Sequence, residues 1–157
     1  MMPEELKLFE EEKPKYRIKA TEETVSLDWL EKIVSIYQER LKKLSEITEL
    51  ADFFFKDKLE YGKELLEWNQ MSEREISSSL DKLEKLLSKI DEKNWTKENL
   101  EKILLSEAEK IGDRGKLLWP LRAALTGKKA SAPPFEIAAI LGKEKTLKRI
   151  REAKKKL

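Results

Sequence analysis

The sequence predicts an all-α fold arranged as two small helical domains. Three observations carry that reading. Apolar residues recur at three- and four-residue steps through most of the chain, the period of one helix face. Capping residues stand where those patterns start and stop. Glycine and proline number five each, too few for a turn-rich sandwich or barrel. The 157 residues suffice for one domain or two small ones, and 39% hydrophobic against 41% charged residues implies a core under a densely charged surface.

The first 20 or so residues carry no pattern that places them. Leu27, Leu30, Ile33, Val34, Tyr37, Leu41 and Leu44 then form one face of a long amphipathic helix, with Ser26 as its N-cap. Ile47 and Leu50 extend the pattern past an expected break near Ser45. Phe53, Phe54 and Phe55 cannot share one helix face, so each ring is expected to point at a different neighbour. A short helix is expected over 61–68. Ser72 with Glu75 makes a capping box that opens a helix at about Glu73, with Ile76, Leu80, Leu83, Leu86, Leu87 and Ile90 inward.

Either Thr96 with Asn99 or Asn94 with Lys97 marks the next start. Leu100, Ile103, Leu104, Ala108 and Ile111 line that helix, and Gly112 ends it. Gly115 opens a further segment, in which Pro120 is tolerable only in the first turns and Gly127 supplies the stop. Ser131-Ala132-Pro133-Pro134 reads as a rigid loop, with Pro134 at the first position of a helix over 135–141. Gly142 separates it from a last, basic helix running from 143 to about 153. No strand pattern competes. A seam between Trp68 and Glu73 divides a first domain, 1–70, from a second, 71–157.

Composition excludes several chemistries. Without cysteine there is no disulfide, thiolate metal site or cysteine nucleophile, and without histidine no imidazole base or Ser-His-Asp triad. The start, Met1-Met2-Pro3-Glu4-Glu5, lacks the basic and apolar regions of a secretory leader, and no apolar run reaches membrane-spanning length. The expectation is a soluble, cytoplasmic protein.

Charge is unevenly spread. Positions 112–157 hold 13 basic and 4 acidic residues, a net of +9, which leaves −7 for 1–111. The basic segment is either the contact for a polyanionic partner or a solvated tail. Gly112-Asp113-Arg114-Gly115-Lys116 faintly resembles a phosphate loop, but its glycines are too close, Leu117 follows the lysine, and no strand precedes it. A turn between helices explains it. The acidic runs Glu10-Glu11-Glu12 and Glu22-Glu23 read as solvated faces. Trp29, Trp68, Trp95 and Trp119 have the chemistry to stack on bases, but neighbouring apolar residues favour core positions for Trp29 and Trp119.

The most specific signal runs from Trp119 to Ala153. It contains Trp-Pro-Leu-Arg-Ala-Ala-Leu-Thr-Gly, then Ser131-Ala132-Pro133-Pro134-Phe135-Glu136, then Leu141-Gly142-Lys143-Glu144-Lys145-Thr146-Leu147-Lys148-Arg149-Ile150. This succession resembles the C-terminal end of bacterial glutamyl-tRNA synthetases. The earlier Glu39-Arg40-Leu41-Lys42-Lys43-Leu44-Ser45-Glu46-Ile47, with the three phenylalanines after it, is similar to a second block of the same family.

The resemblance implies the anticodon-binding part of a class I synthetase, two helical domains that follow a catalytic domain in cis. The nucleotide-binding signatures of that catalytic domain are missing, so no aminoacylation and no cofactor are expected of this chain. The parent enzyme joins glutamate to its tRNA with ATP and magnesium. The implied partner is the anticodon loop of glutamate tRNA, with no membrane and a monomeric state. The resemblance carries anticodon contacts onto Arg40, Arg122, Ser131 and Phe135. At Ser131 the chain departs from its relatives, which usually have proline next, where this sequence has Ala132. Lys128, Lys129, Lys143, Lys145, Lys148 and Arg149 are the candidates to hold phosphates. The rival function is a free-standing helical module that binds protein through its acidic half.

Overall fold

The computed structural model describes residues 8–10, 15–18, 24–37 and 51–157, and they fall into two compact units, Met1–Leu59 and Glu60–Leu157. Among the described residues, the expectation of a helical fold holds from Leu27 onward. Ahead of it lies a feature the sequence pattern did not reveal, a three-stranded antiparallel sheet in the order β1 (Leu8–Glu10), β2 (Lys15–Ile18), β3 (Thr24–Ser26). Phe9 is in register with Arg17, and Tyr16 with Val25. Strands of three or four residues are too short to display a convincing alternation.

Helix α1 (Leu27–Tyr37) follows β3 directly. Ser26 caps it as expected, its hydroxyl accepting the Trp29 amide at 3.2 Å. Leu30 and Ile33 are buried. The remainder of the expected apolar stripe, from 38 to 50, lies outside the described residues. Phe53, Phe54 and Phe55 form a single 3₁₀ turn (Asp52–Phe55) and are all buried. Consecutive side chains of such a turn point about 120° apart, so this turn is enclosed on every side. The rings do not simply diverge: Phe54 and Phe55 both meet Trp29 edge-on, at 6.4 and 5.7 Å between centroids.

The second unit holds a 3₁₀ turn (Lys63–Leu66), α2 (Glu73–Ser88), a 3₁₀ turn (Glu92–Asn94), α3 (Lys97–Ile111), α4 (Arg114–Thr126), α5 (Pro134–Leu141) and α6 (Lys143–Lys154). Ser72 and Thr96 cap α2 and α3 by accepting the Glu75 and Asn99 amides, each at 3.2 Å. Of the two starts open in the sequence, Thr96 is the one used. Gly112 and Gly127 end α3 and α4 at φ +89° and +67°, a region that disfavours any Cβ. Pro134 takes the first turn of α5.

Helix α4 is the hub. It packs against α2, α3, α5 and α6, and it buries Leu117, Leu121, Ala123, Ala124 and Leu125 around its circumference, the pattern of a core helix. Pro120 departs from expectation, for it sits in the middle of α4. It has no N–H to give the Lys116 carbonyl one turn earlier. That carbonyl is instead taken by the Ser79 hydroxyl of α2 at 2.8 Å.

Residues 60–70, grouped in the sequence reading with the first domain, pack in the second unit. Trp68 lies 5.3 Å from Trp119 between ring centroids and donates to the Asp113 carboxylate at 3.2 and 3.3 Å. Trp119 donates to the Leu65 carbonyl at 2.8 Å. These pairings join positions more than forty residues apart in sequence, so no local signal announces them.

Candidate nucleic-acid interface

The loop that joins α4 to α5 is built by Thr126. Its hydroxyl donates to the Arg122 carbonyl at 2.8 Å and accepts the Lys128 amide at 3.0 Å. With Gly127 in the left-handed region, the chain turns sharply out of α4. Lys128 emerges half-buried and Lys129 exposed. Ser131 donates to the Ala132 carbonyl at 2.8 Å, and Ala132 is fully buried, which pins the loop against the core. Pro133 is extended, its carbonyl accepts the Glu136 and Ile137 amides, and Phe135 stands half-buried in the first turn of α5.

Arg122, Lys128, Lys129, Ser131 and Phe135 thus occupy one continuous piece of chain, from the last turns of α4 to the first turn of α5. Lys143 and Lys145 are half-buried at the start of α6, and Lys148 is exposed farther along it. Helices α4, α5 and α6 pack pairwise, so the segments that carry these side chains come together at one three-helix edge of the second unit. Arg40 lies outside the described residues.

Arg149 corrects the sequence reading. It is 1% exposed, and its Nη1 donates to the Leu125 carbonyl at 2.5 Å. Leu125 lies in the last turn of α4, where carbonyls lack amide partners and the helix carries partial negative charge. Arg149 therefore holds the end of α4 in the core and is not a phosphate clamp at the surface. Part of the +9 is also spent inside the fold. Lys154 lies 2.5 Å from Asp81 and 3.0 Å from Glu84 of α2, and Arg151 reaches Glu84. Lys154 first, and then Arg151, hold the Glu84 carboxyl below its ordinary range. Arg114 pairs with Glu109.

The four tryptophans are structural. Trp29 packs on the phenylalanines, Trp68 and Trp119 on each other, and Trp95 donates to the Ala138 carbonyl at 2.8 Å. The 112–116 segment is a helix start: Asp113 caps α4 by accepting the Gly115 amide at 3.0 Å. Among the described residues no group of three carboxylates is placed to hold a metal, and no helix is long and apolar enough to cross a membrane.

One family model, the anticodon binding domain, matches residues 6–154, nearly the whole chain. The chain belongs to the anticodon binding domain family. It is 41% identical over 135 residues to a glutamate–tRNA ligase of Clostridium kluyveri, covering 84% of this chain and 27% of that enzyme. Identity to the glutamate–tRNA ligase of Roseiflexus castenholzii is 33% over 126 residues, 80% of this chain and 24% of the relative. Among solved structures, a glutamate tRNA ligase from Elizabethkingia meningosepticum in complex with its amino acid superposes with a TM-score of 0.71 at 25% identity, over 85% of this chain and 26% of that one. The chain therefore spans about a quarter of the length of the curated relatives it matches. The anticodon-binding family expected from the two sequence blocks is the family found.

Proposed function

We propose that this chain recognises the anticodon loop of glutamate tRNA as the non-catalytic part of a glutamate–tRNA ligase. Its catalytic domain lies in cis, and the whole protein is a cytoplasmic monomer that uses ATP and magnesium. The observation that carries this is coverage: the chain matches tRNA ligases over most of its own length and a quarter of theirs, through a family defined by anticodon binding. The three-helix edge supports it physically. An anticodon loop offers unstacked bases with readable edges. A half-buried arginine, a hydroxyl-bearing proline loop and an aromatic ring suit that target, and Lys128, Lys129, Lys143, Lys145 and Lys148 suit its phosphates.

Labelled glutamate tRNA titrated at several salt concentrations tests this directly. With about three to five phosphate contacts at the three-helix edge, that edge alone is expected to give a log–log slope near −2 to −4. No binding at low salt, or a slope near zero, would sink the tRNA reading and favour a protein-binding module. In a charging assay with glutamate, ATP, magnesium and tRNA, the purified chain is expected to form no aminoacyl ester. Charging would overturn the non-catalytic assignment alone.

A further inference from the structure

Helix α2 sorts its charges by face. At about 100° per residue, Arg74, Ser78, Lys82, Lys85 and Lys89 fall within a stripe about 80° wide and roughly 22 Å long. Glu84 lies well to one side and pairs with α6. The stripe lines a groove of about 740 Å³, with Glu107 of α3 across from it. A second cleft of about 350 Å³ shares Arg74, Ser78 and Lys82 and adds Lys116 of α4, with the Glu75 carboxylate also on its wall. The two carboxylates in the larger groove are already matched, Asp81 by Lys154 at 2.5 Å and Glu107 by Lys82 and Lys110 at 3.4 and 3.6 Å. Arg74, Lys85 and Lys89 are exposed and pair with no carboxylate among the described residues. A cationic stripe thus lies within the part of the chain whose net charge is −7.

We propose that this groove binds the phosphodiester backbone of RNA, as a contact separate from the α4–α6 edge; the identity of the RNA rests on the tRNA function proposed above. Lys82, Lys85 and Lys89 recur about once per helical turn, with Arg74 about two turns before them on the same line, which suits a linear polyanion. Ser77 and Ser78 add neutral donors beside them. No aromatic side chain lines either cleft, so there is no platform for stacking a base. The groove therefore senses charge and position and carries no sequence information.

The test compares wild type with the triple variant Arg74→Gln/Lys85→Gln/Lys89→Gln, and with a charge-matched control, Lys58→Gln/Lys93→Gln/Lys102→Gln, at exposed positions off the groove. Circular dichroism and thermal unfolding check that each is folded. Lys89→Gln alone, just beyond the end of α2, provides a minimal second variant. Each lost phosphate contact removes about 0.7–0.9 from the salt slope. The triple variant is expected to lose about 2 from the slope and at least ten-fold in tRNA affinity at low salt, equally for tRNAs of different anticodon. Lys89→Gln loses slightly less than 1, and the control keeps the wild-type slope. If wild type binds tRNA and the triple variant matches it, the groove is not an RNA surface, while the proposed function stands. A control that loses as much as the triple variant reduces the effect to net charge and overturns the groove. Polyglutamate binding that depends on the same three residues, without an effect on RNA, would assign the groove to an acidic peptide. Wild type that binds no tRNA overturns both proposals.

Discussion

The Ser79 hydroxyl donates to the Lys116 carbonyl at 2.8 Å, the acceptor that Pro120 leaves without an amide. The bond ties α2 to the hub helix at the point where the hub's own ladder is broken. Ser79→Ala would strand a part-buried carbonyl and is expected to cost about 1–2 kcal/mol. Restoring the amide with Pro120→Ala should reduce the cost of Ser79→Ala, so urea unfolding of the four members of the cycle should show coupling. Strictly additive losses would mean the two residues act independently.

Gly115 is required by proximity. A Cβ built there stands 2.1 Å from the Trp68 indole. Gly115→Ala must displace that ring from Trp119 and from the Asp113 carboxylate. The expected loss is roughly 1–3 kcal/mol, as for other overpacked sites, with a shift in tryptophan emission. Unchanged emission and stability would refute the packing.

Arg149 separates a structural cation from a binding one. Arg149→Met removes the donor at the Leu125 carbonyl and should lower stability by about 2 kcal/mol, in the range for hydrogen bonds to charged groups. In the folded variant the salt slope of tRNA binding should match wild type. A slope smaller by nearly one would return Arg149 to the phosphate contacts.

Tyr61 is pushed up to about 12, by burial first and then by the nearby Glu152, with Arg149 opposing. Lys156 lies 4.4 Å from its ring centroid and donates to its carbonyl. A folded pKa above the unfolded value of about 10 means that the contribution is intact below pH 10 and is lost as pH rises from 10 to 12. Stability should therefore fall across that window, and Tyr61→Phe should lessen the fall. Tyrosinate absorbance should show one component titrating near pH 12 that the variant lacks. If that component persists in Tyr61→Phe, another tyrosine is responsible.

From the resemblance of the block around Arg40 to its family, we propose that this arginine separates glutamate from glutamine tRNAs. Cytosine, third in the glutamate anticodon, offers acceptors to a donor-only guanidinium, whereas guanine at that place presents N–H donors. By analogy with base readout in DNA, the contact is worth about 1–3 kcal/mol. Arg40→Gln should narrow the preference between two anticodon stem-loops differing only in that base. Equal binding by wild type, or an undiminished preference in the variant, would make Arg40 an ordinary surface arginine.

The sequence by itself determined the features that depend on near neighbours. Ser26, Ser72 and Thr96 satisfy amides three residues away, and Gly112 and Gly127 stop helices by their own φ. Pro134 starts α5 for the same local reason. The family was also legible, because its two blocks are contiguous words of sequence. Tertiary structure decided what depends on distant partners. Lys148 and Arg149 are adjacent cations of one helix, yet one is exposed and the other buried under the end of α4, because successive helical residues point about 100° apart and only packing chooses the inner face. Trp68 joins the second unit because Gly115 leaves room for it, 47 positions along the chain. The cationic stripe of α2 escaped a charge tally by segment because Asp81 and Glu84 are spent on α6, and the fold alone sets those charges apart.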